Sequence, residues 1–346
     1  MNLQRTSHPR RSMQGMSLVE LMIAMTLGLI VLAALVSVFA NTSASRAELE
    51  RTSRQVENGR YAMEVLGDEL RHAGFYGEAN VRAVPLPGVL PDPCSTDPIV
   101  WKSAMPIHVV GFDNGAGLPA CFNGTRKAGT DVLLVRRVST CEAGVGDCPA
   151  AVASDYYAQV AKCATETPIT PIVFAAQGGS AFTLHVKDCV AAAGLRKYTV
   201  RFYYIGTDNG SGQAIPTLRR LELSGAAGAW VDTPLVEGID QLNLEYAIDT
   251  DGDGAPNVYT ADPATYVCGG CTAITNWANV VTVRINLLAR NLETSPGYTD
   301  SKTYTLGRDA AGAAITVTPA DQYRRHAYTG LVRIVNASER RDLPQQ

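Results

Sequence analysis

Asp249-Thr-Asp251-Gly-Asp253-Gly254-Ala255-Pro-Asn257 sets carboxylates at alternate positions. In a tight loop, side chains at that spacing converge, and converging oxygens suit a hard cation such as calcium. Gly254 permits the sharp turn. The Ala255 carbonyl and the Asn257 side chain stand where further ligands are expected. Position twelve is Thr260 rather than glutamate, and no flanking helices are expected. The likeness is therefore to the calcium loop alone. A solvated Asp/Gly turn between two strands is the alternative.

A second set is the eight cysteines: Cys94, Cys121, Cys141, Cys148, Cys163, Cys189, Cys268 and Cys271. Cys268-Gly-Gly-Cys271 has the spacing of a redox pair, but the strand-to-helix context is missing and two glycines favour a tight structural bridge. An even, scattered set behind an export segment reads as disulfides rather than zinc ligands. Neighbour is expected to pair with neighbour, Cys94–Cys121, Cys141–Cys148, Cys163–Cys189 and Cys268–Cys271, among the many pairings that eight cysteines allow.

Catalytic patterns are thin. His185 lies near Cys189, but a strand histidine beside a disulfide is the expected reading, not a base beside a nucleophile. There is no nucleophile-elbow, phosphate-cradling or dinucleotide-binding sequence, so the chain is not expected to be an enzyme. A formal net charge of −3 and a pI near 6.0 argue against nucleic acid as the main partner, since phosphate binding needs clustered basic surface.

The acid with the strangest setting is Glu20. It lies two residues into an apolar run, Leu18–Ala40, and no charged residue follows between Leu21 and Ser45. The run is long enough to cross a bilayer as one helix. Arg5, Arg10 and Arg11, with no acid among residues 1–15, hold the leader on the cytoplasmic side and send the rest outward. A carboxylate in such a run costs several kcal/mol by most estimates and normally marks function or a partner. A secretory signal has a shorter apolar core and a small-residue cleavage site, so it fits less well.

The elements that carry these groups follow from periodicity. No proline occurs from 10 to 84 and Gly74 is a natural C-cap, so one helix of about 55–60 residues is expected. Leu49, Val56, Met63 and Leu70, with Leu66 and Ala73 on the adjacent line, form its predicted apolar seam. Pro85, Pro87, Pro91, Pro93 and Pro98 mark an irregular connection. Strands are predicted at Ile107–Val110, Asp131–Val138, Phe182–Val186, Tyr198–Ile205, Leu218–Leu223, Leu242–Ile248, Val281–Leu288, Tyr304–Leu306 and Leu331–Val335. The alternation of Val281, Val283, Ile285 and Leu287 with Thr282, Arg284 and Asn286 predicts a sheet with one buried face.

The string Gln14-Gly15-Met16-Ser17-Leu18-Val19-Glu20-Leu21-Met22-Ile23-Ala24 resembles the cleavage region of type IV prepilins, although Met16 stands where phenylalanine is usual. Asn58-Gly-Arg-Tyr61-Ala-Met-Glu-Val-Leu66-Gly-Asp-Glu-Leu70-Arg71-His-Ala-Gly74-Phe-Tyr76-Gly77 resembles the helix end of the PilW family of minor pilins. Val281–Arg290 and Arg324–Asn336 resemble its C-terminal pattern.

The resemblance implies an α+β, type IV pilin-like fold: one long N-terminal helix, its first half transmembrane, packed on a β-rich, antiparallel C-terminal domain. The expected divisions are a cytoplasmic leader at 1–15, the pilin helix at 16–77 with 18–40 in the membrane, and a disulfide-bearing domain at 78–346. It further implies cleavage by prepilin peptidase between Gly15 and Met16, and N-methylation of Met16. Glu20 is expected to pair with the terminal amine of a neighbouring subunit in a low-dielectric setting. The implied function is that of a minor pilin in pilus initiation and the tip complex. Expected partners are other minor pilins, the major pilin, a PilY-type adhesin and the inner-membrane assembly platform. The expected location is the inner membrane before assembly and the cell-surface pilus afterwards. A J-type minor pseudopilin of type II secretion, or a tip adhesin, is the alternative.

Overall fold

The structure is a computed structural model that describes residues 15–153, 155–167, 171–225 and 228–337. Apart from Gly15, the expected leader with its three arginines lies outside the described residues. Contacts divide the chain into two units, Met1–Glu50 and Arg51–Gln346.

Helix α1 runs Leu18–His72, 55 residues. In the first unit it is exposed on every side from Leu18 to Ala47. Its later part, from Arg51, belongs to the second unit, so that unit begins well before residue 78 because the helix end packs into it. Gly74 stops the helix in the left-handed region at φ +71, where a Cβ would press on His108. Two short helices follow elsewhere, α2 (Pro98–Ala104) and α3 (Ala273–Ala278). Pro98 opens α2 behind an Asp97 cap, the position where a missing N–H costs least.

All ladders are antiparallel. One seven-stranded sheet holds β1 (Val109–Phe112), β2 (Val132–Val138), β3 (Tyr156–Val160), β4 (Ile172–Ala176), β5 (Leu195–Gly206), β6 (Thr217–Ser224) and β7 (Ala229–Glu237). Its organiser is β5, twelve residues long, which pairs with β2, β3 and β6. A four-stranded sheet runs β13–β10–β8–β9, from β8 (Ile239–Ile248), β9 (Val258–Thr260), β10 (Val280–Arg290) and β13 (Arg325–Arg333). The third is the hairpin β11 (Tyr304–Arg308) with β12 (Ala314–Val317).

Three expectations need correction. The seam of α1 is rotated: Leu49 is 71% exposed, and the buried positions are Gln55, Gly59, Ala62, Leu66, Gly67, Glu69 and Leu70. Small residues let the helix backbone approach the sheet, and the two polar ones find partners there. The four-stranded sheet is covered on both faces, since β8 is buried throughout and β10 nearly so. Gly307 of β11 lies against Asn286 and Glu245 on the polar face, where Glu245 also pairs with Arg284 at 3.0 Å. Phe182–Val186 forms no strand, only a bridge at His185. Its backbone closes locally, Val186 N–H on Ala191 and Ala193 N–H on Leu184, and the Leu184 N–H goes to the Gln159 side chain at 2.9 Å, so the segment is one arm of a tight turn rather than a sheet strand.

Candidate assembly site

Around the junction, Gly15 and Met16 are exposed, and Ser17 immediately precedes α1. The Ser17 N–H donates to Glu20 Oε2 at 3.1 Å, while Ser17 Oγ accepts from the Val19 N–H at 3.4 Å. The first turn closes with Leu21 N–H on the Ser17 carbonyl. The glutamate half of a capping box is thus formed, while the serine hydroxyl takes the Val19 N–H rather than that of Glu20. The Ser17-x-x-Glu20 spacing carried that signal, but the sequence reading gave Glu20 only an intermolecular role.

Beyond Glu20 the side chains are apolar and outward: Leu29 is 67% exposed and Phe39 76%. Two hydroxyls turn inward, Thr26 to the Ile23 carbonyl at 2.9 Å and Thr42 to the Val38 carbonyl at 2.8 Å. Internal satisfaction of this kind is what a helix surrounded by hydrocarbon requires. Among the described residues α1 is the one helix long and apolar enough to span a membrane. An apolar surface of this extent is untenable in water and calls for lipid or other helices.

In the second unit the end of α1 is held by polar bonds as well as packing. Gln55 Nε2 donates to the carbonyls of Ala289 and Arg324, both at 2.9 Å. Asn58 Nδ2 donates to the Glu237 carbonyl at 3.1 Å. The Tyr328 ring covers Gly59, leaving no room for a Cβ, and its hydroxyl reaches the Val56 carbonyl. Glu69 accepts from Arg137 at 3.0 and 3.2 Å and from Arg201 at 2.9 Å. Burial works to raise the Glu69 pKa, but Arg201 and Arg137 outweigh it and hold the carboxyl below its usual range. Asn336 Nδ2 caps the last carbonyls at Arg71 and Ala73.

Residues 202–336 match the family described as type IV pilus-assembly protein W, and residues 10–36 match the prokaryotic N-terminal methylation motif. The two matches, one at each end of the chain, support a PilW-family type IV minor pilin. The type IV-like pilin TTHA1219 from Thermus thermophilus is similar at 13% identity and a TM-score of 0.36, over 82% of this chain and 96% of that one. No curated protein matches. The methylation motif and the exposed apolar helix suggest membrane anchoring and a place in a type IV pilus.

The aspartate loop joins β8 to β9. Asp249 is fully buried and accepts the Gly252 N–H at 2.6 Å and the Gly254 N–H at 3.0 Å, both glycines having positive φ. Asp251 and Asp253 are exposed, and one oxygen of each of the three carboxylates lies within 4.8 Å of the others. Ala255 donates its N–H to Asp253 Oδ1 at 2.7 Å. Asn257 braces the loop, accepting from Thr250 N–H at 2.7 Å and donating to Asp251 at 3.3 Å. The converging part is thus the aspartate trio.

The disulfides join Cys94–Cys121, Cys141–Cys148, Cys163–Cys189 and Cys268–Cys271, with Cα separations of 5.4, 6.2, 4.9 and 5.2 Å. Cys189 is therefore committed to a bridge, and His185 Nδ1 meets Glu166 at 2.6 Å instead. Sequence reasoning missed Glu69, Arg137 and Arg201, because one acid in a charged helix and two arginines in strands do not announce a shared buried site.

Proposed function

We propose that this PilW-family chain is cut by prepilin peptidase between Gly15 and Met16, methylated at Met16, and held in the inner membrane by 18–40 with its N-terminus cytoplasmic. It then leaves the membrane for a surface pilus, where it acts with other minor pilins and the major pilin in initiation on the inner-membrane platform. It forms part of a tip complex that supports a PilY-type adhesin. The observation that carries this reading is the lone carboxylate of Glu20 beside the junction, at the head of an apolar helix exposed on every side.

Cleavage creates an α-amine four residues before Glu20. In a low-dielectric helix bundle that amine, on an adjacent subunit, is a stronger partner for the carboxylate than the Ser17 N–H, because the interaction becomes one between full charges. Glu20→Ala is expected to leave a mature chain beginning at Met16 and inserted in membranes, yet missing from sheared filaments. Filaments holding the variant at the wild-type level would overturn the role given to Glu20. Loss of surface pili on deleting the gene, with protein secretion unchanged, separates a pilus subunit from a pseudopilus subunit.

The aspartate trio is proposed to hold calcium. Two exposed carboxylates beside a third that is already oriented by backbone N–H groups form an oxygen-rich cup suited to a weak extracellular site.

A further inference from the structure

Asp131 stands where the two large sheets meet. It immediately precedes β2, and its N–H donates to the Leu242 carbonyl at 2.9 Å. Its carboxylate accepts the Leu244 N–H at 2.7 Å and, on the other oxygen, the Asn114 N–H at 2.9 Å. Strand β9 covers β8 only at Tyr246–Ile248, so Asp131 finishes the edge of β8 that β9 leaves open. The residue is 4% exposed.

Among the described residues no ion pair answers the charge directly. Arg126, whose charge acts on it, spends its guanidinium on the carbonyls of Lys127, Thr130 and Asn114. Lys127 itself is committed to Asp240. From the turn after β1, Asp113 adds a like charge, and Asp113 in turn senses Asp262 and Asp309. Tyr246 of β8, its hydroxyl fully buried and unpartnered, faces Asp131, Asp262 and Asp113.

We propose that Asp131 is a proton-controlled clasp between the two sheets, strongest when its carboxyl is protonated and slackened when the buried group ionises beside Asp113. Burial, with Asp113 adding to it, outweighs the two backbone N–H bonds and pushes the Asp131 pKa up to about 7. The sign follows. A carboxyl with a raised folded-state pKa contributes stability that is full below its unfolded value of 3.8 and is lost as pH rises through about 7. The ion-paired carboxyls Glu69, Asp240 and Asp321 are all held below their usual range, so their losses fall at lower pH.

Hydrogen exchange on the full chain in detergent, corrected for intrinsic rates, reads the clasp at Leu242–Tyr246. Between pH 8 and 5.5 the wild type is expected to gain protection by about thirtyfold for opening that releases Asp131. Asp131→Asn is expected to lose that dependence. Asp113→Asn, which leaves the clasp in place, is expected to move its midpoint to lower pH. Equal pH dependence in the wild type and Asp131→Asn would overturn the proposal. Should Asp131→Asn not fold, an unmoved midpoint in Asp113→Asn would do so.

Discussion

Glu69 of α1 and Arg201 of β5 meet at 2.9 Å, with Arg137 closing the other side of the same carboxylate. Arg201 also contacts Glu222 at 2.9 Å, so Glu69 of the helix completes an alternating chain of charges, Arg137–Glu69–Arg201–Glu222, that reaches β2, β5 and β6. All four side chains are 15% exposed or less. In such a place, removing one partner costs more than the pair itself contributes, because the other charge is left buried.

Glu69→Ala is therefore expected to destabilise the domain by about 3 kcal/mol in chemical denaturation. Its lowered pKa means that its contribution is full above the ordinary carboxylate value of 4.5 and is lost as pH falls through the folded value. The wild type should lose stability below about pH 4.5 more steeply than Glu69→Gln. Parallel curves would place the acid sensitivity elsewhere.

Gly59 lies under the Tyr328 ring with no space for a side chain. Gly59→Val is expected to cost about 1–3 kcal/mol through overlap, despite removing a glycine from a helix interior. Shortening Tyr328 to alanine in the same chain should recover part of that loss, which a double-mutant cycle measures directly.

For the aspartate loop, calorimetry with calcium is expected to show binding heat that Asp251→Ala abolishes without lowering the melting temperature of the calcium-free protein. Asp249→Ala should differ by also lowering that melting temperature, by the equivalent of about 1–2 kcal/mol, since two glycine N–H groups lose their acceptor. No heat from the wild type would remove calcium from the account.

Replacing Cys94 and Cys121 together by serine opens a loop with a sequence separation of 27. A loss of about 2–4 kcal/mol is expected, visible as a shift in the denaturation midpoint under non-reducing conditions.

The extent of α1 was legible because nothing breaks it between Pro9 and Pro85 and Gly74 marks its end. Its buried line was not, since the heptad of larger side chains pointed to Leu49, Val56 and Met63, whereas close approach favours Gly59 and Ala62, and Gln55 is buried by its bonds. Strands β8 and β10 showed their alternation, but a later hairpin that belongs to neither pattern decided that their polar face is covered. Strand β13 begins at Arg325, six residues before the expected Leu331, because Arg325 is anchored to Asp240 and Asp300 from other segments and to Asp321 one turn before it. In β7, Pro234 and exposed polar positions hid an edge strand. The spacing of Ser17 and Glu20 was readable as a cap, while Asp131 carried no local sign of its burial.

The bonds that secure α1 to its sheet are spread along the helix, at Gln55, Asn58, Glu69 and the carbonyls capped by Asn336. A force applied along the helix axis loads them together, in shear, so none can yield alone as it would in peeling. The tyrosine ring seated on Gly59 adds a catch against axial slip. A subunit fastened in this manner can bear tension through its helix and keep its domain folded.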